Sequence, residues 1–154
     1  MKNLINALKD QLTGYAGLNY ASESGYVASD VTHLVELNRF PFFNLVPGNK
    51  RIEKTDNLSF KEMERHIYPV IIEFGTRSMD MDIAIIGDDT RKGILDFWDD
   101  IWAGIKSDRS VGDEVKGILP GIEITVNILK MEGDDSHFIA GAETTVEFYD
   151  DIPI

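Results

Sequence analysis

The sequence feature that most constrains the fold is an amphipathic segment at residues 89–106, DTRKGILDFWDDIWAGIK. Its apolar side chains recur every three to four residues and its charged side chains fall mainly on the other side, which is the spacing of a helix that packs one face against a core. Trp98 and Trp102 lie one turn apart on the apolar side and are predicted to attach this helix to a sheet. The preceding residues 87–90, GDDT, are predicted to supply a turn and the helix N-cap.

Most of the other apolar sequence has the two-residue alternation of β-strands. Residues 66–75, HIYPVIIEFG, form the most strand-like internal run. Residues 121–129 and 137–149 also alternate, and the turn-rich residues 132–137 join them, which predicts a C-terminal β-hairpin.

An aromatic block at residues 39–46, RFPFFNLV, ends at a Pro-Gly pair. Aromatic residues favour a strand, and Pro41 would place that strand at a sheet edge or at its own beginning. Residues 51–54 are predicted to return as a short strand. Residues 55–65 are predicted to form a loop or a brief helix.

Residues 79–86, MDMDIAII, are predicted to form a half-buried strand, or an arm that becomes buried against a partner. Their apolar members alternate with acidic residues, and methionine side chains suit an adaptable contact surface. These apolar members are Met79, Met81, Ile83 and Ile85.

The predicted fold class is α+β, with an antiparallel or mixed sheet flanked by two main helices. The second helix is a short one at the N-terminus, where apolar residues share one face and Gly14 is a plausible stop. Those apolar residues are Leu4, Ile5, Leu8 and Leu12. A length of 154 residues favours a single domain over residues 1–154. Repeated βαβ units are missing from the pattern, which argues against a doubly wound nucleotide-binding fold.

Composition excludes several classes of function. The chain has no cysteine, which excludes disulfides, thiolate metal sites and cysteine catalysis. Its net charge of −12 argues against wrapping nucleic acid, since that requires clusters of Lys and Arg. The N-terminus lacks a signal-peptide pattern and no apolar run approaches the ~20 residues of a membrane span, so we expect a cytoplasmic protein with no membrane partner.

Candidate chemistry in the sequence is sparse. Three acidic pairs could hold Mg²⁺ or Ca²⁺, but none has the spacing of a calcium loop that ends in a Glu; the pairs are Asp80 with Asp82, Asp88 with Asp89, and Asp134 with Asp135. Helix capping explains the second pair and turn chemistry the third, which argues against a metal site. The three histidines are far apart and lack zinc-ligand spacing; they are His33, His66 and His137. Because no nucleophile elbow, phosphate loop or dinucleotide motif occurs, we predict no catalytic residue, no cofactor and no metal site.

The order of these elements resembles a known family. A short amphipathic helix precedes a Phe-Pro-Phe-Phe block ending in Pro-Gly, and the hydrophobic strand HIYPVIIEFGT follows. An Asp-rich linker, the helix GILDFWDDIWAGI and a hairpin containing Ala-Glu-Thr-Thr-Val-Glu-Phe complete the chain. This order is similar to that of the tail terminator group, the small tail-completion or minor tail proteins of long-tailed bacteriophages and prophages.

The resemblance implies a non-enzymatic virion protein of the tail, assembled in the host cytoplasm. Subunits of that family form a ring, commonly a hexamer, that caps the tail tube, ends its polymerisation and provides the surface that joins the head. The implied partners are further copies of the chain, the tail tube protein, head–tail connector proteins, and genomic DNA that passes through the lumen without specific binding. An acidic lumen would repel DNA phosphates and let the genome slide.

A ring requires contacts between two different surfaces of each subunit, and exposed strand edges and apolar arms can supply them. The candidate contact residues come from the aromatic block and from residues 79–86; they are Phe40, Phe42, Phe43, Met79, Met81, Ile83 and Ile85. A head–tail connector subunit remains an alternative within the same class. From another class, the alternative is a small acidic metal-binding protein or enzyme that uses the Asp clusters.

Overall fold

The computed structural model describes residues 1–21, 23–26, 40–56, 62–130 and 138–153. In chain order its elements are helix α1 (Lys2–Thr13), a 3-10 turn (Ala16–Leu18), strands β1 (Glu23–Tyr26), β2 (Phe42–Pro47), β3 (Arg51–Asp56) and β4 (Glu62–Ser78), helices α2 (Met81–Ile86) and α3 (Ile94–Lys106), and strands β5 (Gly117–Ile118), β6 (Ile124–Lys130) and β7 (Phe138–Pro153). The predicted α+β class is confirmed.

Two long antiparallel strands, β4 and β7, form the centre of a seven-stranded sheet. Strands β2 and β3 pair one after the other with the same edge of β4, while β5 and β6 do the same along β7. Between β2 and β3 the N–H of Gly48 donates to the carbonyl of Pro69 at 2.8 Å, and a Cβ at residue 48 would lie only 2.9 Å from the Pro69 Cβ. Glycine therefore permits the close approach that lets the two strands follow a single line. Only β1 runs parallel to its neighbour, β2.

The helices cover one face of the sheet. Alternate residues of β4 and β7 point into a shared core with the apolar faces of α1 and α3. The strand residues on this face include Val70, Ile72, Phe74, Ala142, Val146 and Phe148. Trp98 packs on Phe74 with ring centroids 5.6 Å apart, so its predicted attachment of the helix to the sheet is confirmed.

Helices α1 and α3 are joined at the C-terminal end of α3. The Gln11 side-chain amide donates to the carbonyls of Gly104 and Ile105 at 3.0 and 3.1 Å. It also lies 3.0 Å from the Asp108 carbonyl. These carbonyls belong to the last turn and its continuation, where an α-helix has no partners of its own for its C=O groups. A side chain from the first helix thus caps the last one.

Several predicted elements are confirmed, including the N-terminal helix with its end at Gly14, the strand over residues 66–75, the short strand after residue 50 and the C-terminal hairpin. The prediction for residues 79–86 was wrong, since Met81–Ile86 is a helix. The predicted cap of α3 was also wrong. The helix begins after Gly93, whose N–H is 3.4 Å from an Asp96 carboxylate oxygen, and Asp88 instead closes a separate turn by accepting from the N–H groups of Thr90 and Arg91.

Candidate subunit-contact surfaces

The α2 surface is the exposed side of the helix that follows β4, and we define it by Met79, Met81, Asp82 and Ile86. Asp80 caps the helix by accepting from the N–H of Asp82 at 2.9 Å, which fixes where the helix begins. Met79 is 62% exposed and Ile86 64% exposed, unusually high values for large apolar side chains. The buried side of α2 is held by Ala84, whose carbonyl accepts from the Thr76 hydroxyl at 2.7 Å.

The other two predicted contact residues of this segment lie between surface and core. Ile83 and Ile85 are both half-buried, and Ile85 packs against the main core. Their position follows from the helix, because a strand would have placed them on the same side as Met79 and Met81. The segment therefore presents its methionines outward and its isoleucines at residues 83 and 85 mainly inward.

The aromatic block does not present a contact surface of the predicted kind. Phe43 is completely buried in the main core, and Phe42 is 4% exposed on the opposite face of the sheet. Phe42 lies edge-on to Phe40 at 5.3 Å, and both rings cover Gly75. Phe42 and Phe43 are thus packed within the subunit, and their predicted contact with a partner stays a prediction. Phe40 is half-buried.

The β3 surface lies at the far end of the sheet, and we define it by Lys50, Ile52, Lys54 and Ile152. Ile52 is 56% exposed and is opposed to His66 of β4, while Ile152 of β7 is opposed to Glu64. These residues share one face because directly opposed residues of a ladder point to the same side. Sequence reasoning missed this surface, since a lone isoleucine in a charged strand carries no signal of exposure.

Charges surround the two apolar surfaces differently. Both Asp80 and Asp82 are exposed beside the methionines of the α2 surface. On β3, Lys50 and Lys54 are exposed on either side of Ile52, and the Lys50 ammonium lies 5.2 Å from the centre of the Tyr68 ring. Glu64 shares this face and lies 3.2 Å from His66. Acidic groups therefore surround the apolar side chains of the α2 surface, whereas lysines lie on both sides of Ile52 in β3.

The sheet face opposite the helices is acidic and exposed along β6 and β7. Glu143 is opposed to Thr125 on one side and to Glu73 on the other, so two carboxylates are direct cross-strand neighbours. A shallow depression of about 400 Å³ lies on this face. Its outward side chains are Glu123, Thr125, Asn127, Glu143, Thr145 and Glu147. We call this the acidic face.

Ion pairs fix the end of the acidic face nearest β3. Arg51 donates to Glu53 at 3.2 Å and also to Glu147, and these contacts raise the pKa of its guanidinium. Lys116 lies 3.5 Å from the Asp151 carboxylate, which Arg65 also binds. The cations at this end are therefore engaged by carboxylates of the same subunit.

A second depression, of about 420 Å³, lies beside the end of α3. Trp102 is half-buried there and stacks on Trp98 with centroids 6.0 Å apart. The remaining walls come mainly from the connection between β5 and β6, including Pro120 and Ile122. The tryptophan pair thus belongs mostly to the core, as predicted, and leaves one ring edge at the surface.

Two of the three acidic pairs that could supply metal ligands contain an aspartate with a local structural role. Asp80 caps α2, and Asp88 closes a turn whose hydrogen bonds lower its pKa. Across the described ranges, no three His, Asp or Glu side chains come together in a group that could hold a metal ion. His66 is the one predicted histidine within these ranges. The predictions for His33, His137, Asp134 and Asp135 lie outside the described residues.

No protein-family model and no curated protein sequence matches the chain. Among the helices that the structure describes, none is long and apolar enough to cross a membrane. The class that the geometry defines is an α+β protein with one helix-covered sheet face, one acidic face and exposed apolar surfaces at both ends of its longest strands.

Proposed function

We propose that the chain is a structural protein of a phage or prophage tail, and that it caps the tail tube as a ring, ends tube polymerisation and provides the head-joining surface. The order of elements supports this role, because α1, the aromatic block, the long strand, α3 and the hairpin follow one another as in the tail terminator group. The ring would be built from copies of the chain, six by analogy with that family, and would meet the tube protein on one side and connector proteins on the other.

The acidic face is the observation that carries the proposal. Helices occupy one side of the sheet, whereas Glu123 and Glu143 are exposed on the other, in a chain with 27 acidic and 15 basic residues. A ring that turns this face towards its lumen would present carboxylates to DNA. Phosphates are repelled by such a surface, so the genome would pass without binding.

The decisive experiment is a tube-growth assay with the tail tube protein of the same genome. Purified tube protein would be polymerised with and without the chain, and tube lengths would be measured by electron microscopy. We expect growth to stop at a shorter length as the chain is added, with a ring-shaped density at one tube end. Unchanged tube lengths at a molar excess of folded protein would reject the proposal.

A head–tail connector subunit is the neighbouring function, since the acidic face fits either role. A connector would associate with the head side of the joint and leave tube growth unchanged. The same assay therefore separates the two functions.

A further inference from the structure

We infer that copies of the chain associate head to tail, with the α2 surface of one copy seated on the β3 surface of the next. This contact rests on the proposed function in that it names the surfaces that would build the ring. It is a statement about two copies of this chain and can be tested without a tail tube.

The two surfaces match in chemistry. Met79 and Ile86 offer flexible and branched apolar groups, and Ile52 and Ile152 offer apolar groups of similar size. Burying such side chains is favourable because it removes apolar surface from water. Methionine adapts to the shape of its partner, which suits a contact made after folding.

The charges around these apolar groups are complementary. Asp80 and Asp82 flank Met81, while Lys50 and Lys54 flank Ile52. Placing one surface on the other brings carboxylates towards ammonium groups. Placing the α2 surface on its own copy brings Asp80 and Asp82 of the two copies together, which disfavours a two-fold symmetric contact there. The β3 surface carries Glu64 as well as the lysines, so the argument against self-association applies to the α2 surface alone.

The placement of the surfaces requires a heterologous contact. Ile52 is opposed to His66, and Met79 directly follows Ser78, the last residue of the same strand. Ser78 follows His66 by twelve positions along β4, which is about 40 Å at ~3.3 Å per residue. Two different surfaces at opposite ends of one subunit generate a ring or a filament, whereas a closed dimer needs one surface that meets itself.

The position of β3 in the sheet is a second reason to expect a contact with another copy at the β3 surface. Among the described strands, β3 pairs only with β4, and none of them lies along its other edge. Exposed edges are places where chains meet, because their backbone N–H groups can donate to a further partner and their C=O groups can accept from it. The contact would cover this edge of β3.

Because the chain has no cysteine, single thiols can map the contact. Met79→Cys and Ile52→Cys would be prepared separately, one with an affinity tag, then mixed at high protein concentration with a short bis-maleimide. We expect the mixed dimer to form about tenfold more than either self-linked dimer, in proportion to a local affinity difference of about 1.4 kcal/mol. Asp99→Cys mixed with Ile52→Cys is the matched control, because Asp99 is exposed on α3 and belongs to neither surface.

Two results would overturn the inference. One is a mixed Met79–Ile52 yield no higher than that of the Asp99 control. The other is a predominant Met79–Met79 product, which would indicate a symmetric contact. Circular dichroism of each variant would establish that it is folded before the yields are compared.

Exchanging charges between the two copies tests the contribution of the charged residues that surround the apolar groups. Asp82→Lys in the Met79→Cys copy should lower the mixed yield severalfold, and Lys54→Asp in the Ile52→Cys copy should restore it when the two are combined. Asp99→Lys is the control for the same change of charge elsewhere. If Lys54→Asp does not restore the cross-link yield, Asp82 and Lys54 do not pair across the contact.

The contact and the proposed function can fail separately. If the chain stops tube growth but the mixed cross-link does not form, the function stands and the assigned surfaces are wrong. If the cross-link forms but tube growth continues, copies associate head to tail in some other role.

Discussion

Arg65 donates two hydrogen bonds to Asp151, from Nε to Oδ1 at 2.7 Å and from Nη2 to Oδ2 at 3.0 Å. The two residues are directly opposed on β4 and β7, and the guanidinium also lies 4.5 Å from the centre of the Tyr149 ring. This end of the sheet extends beyond the part whose β4 residues belong to the helix-packed core. A planar, two-point pair between the central strands therefore holds them together where helix packing contributes least.

We expect Asp151→Asn to lower the free energy of unfolding by about 1 kcal/mol at neutral pH, because a partly exposed two-point ion pair is lost. The hydrogen bonds from Arg65 lower the pKa of Asp151. A lowered folded-state pKa means that the contribution is complete above the unfolded-state pKa and disappears as the pH falls towards the folded-state value. Urea unfolding of the two proteins should thus converge between about pH 5 and about pH 2.

The matched control is Asp10→Asn, an exposed aspartate on α1. Its unfolding midpoint should stay near that of the original protein across the same pH range. A gap between Asp151→Asn and the original protein that does not narrow in acid would contradict the role assigned to the ion pair.

Tyr20→Phe is expected to destabilise the protein by about 1 kcal/mol, since the Tyr20 hydroxyl donates to the Asp100 carboxylate on α3. Burial raises the Tyr20 pKa, and the hydrogen bond and negative charge of Asp100 add to that effect. A raised folded-state pKa stabilises the fold fully below the unfolded-state value near 10 and less at higher pH. Thermal unfolding should therefore show the advantage over Tyr20→Phe shrinking above about pH 10.

Asp100→Asn tests the same contact from the other side. Asp100 also lies 3.4 Å from the Lys92 ammonium. Because asparagine still accepts a hydrogen bond but carries no charge, this variant should bring the Tyr20 pKa closer to its ordinary value. An unchanged alkaline titration of Tyr20, followed by ultraviolet absorbance, would argue against the contact.

The sequence correctly predicted the elements in which the spacing of apolar residues clearly fits either a helix or a strand. In α3 the spacing of Trp98 and Ile101 fits only a helix, and in β4 the alternation of Val70, Ile72 and Phe74 fits a strand with one buried face. All five residues are indeed buried in the main core. Long, regular segments let packing and local preference agree, which makes them predictable.

The segment Met81–Ile86 was predicted wrongly because it is short. Over residues 79–86, alternation of apolar and acidic groups also fits a helix with Ala84 and Ile85 on its inner side. The discriminating signal was in its boundaries, since Asp80 is a helix cap and Gly87 has a φ of 83°, a backbone conformation that favours glycine. These two boundary residues predict a helix, whereas the alternation between them does not distinguish a helix from a strand.

The exposure of the candidate contact residues was only partly predictable, for a different reason. Met79 and Met81 were selected by residue type and are exposed, whereas Phe42 and Phe43 were selected on the same grounds and are buried. Both faces of β2 are covered, and a continuous apolar run does not show whether the cover comes from the same subunit or from a partner.

Gly104→Ala should destabilise the protein by about 1–3 kcal/mol, even though alanine is the better helix former. A Cβ at residue 104 would lie 2.9 Å from Leu12 Cδ2 and 3.2 Å from Tyr15 Cδ1. Leu12 is completely buried, so it has little room to move away. Denaturant unfolding would measure the loss. Asp99→Ala on the exposed side of the same helix is the control and should change stability by less than about 0.5 kcal/mol.

Replacing Glu123 and Glu143 together with glutamine is expected to slow DNA passage through the assembled tail joint, because the acidic face would repel phosphates less. Both residues are exposed, so stability should change little. Particles assembled with the double variant would be triggered, and DNA release would be followed by dye fluorescence at low and high salt. The difference should be larger at low salt, where charge interactions are screened less. Asp10→Asn combined with Asp99→Asn removes the same number of charges from exposed helix positions and should leave release unchanged. Identical release kinetics for the glutamate variant and this control would reject a lumen lined by the acidic face, while leaving the head-to-tail contact to be judged by its own cross-link.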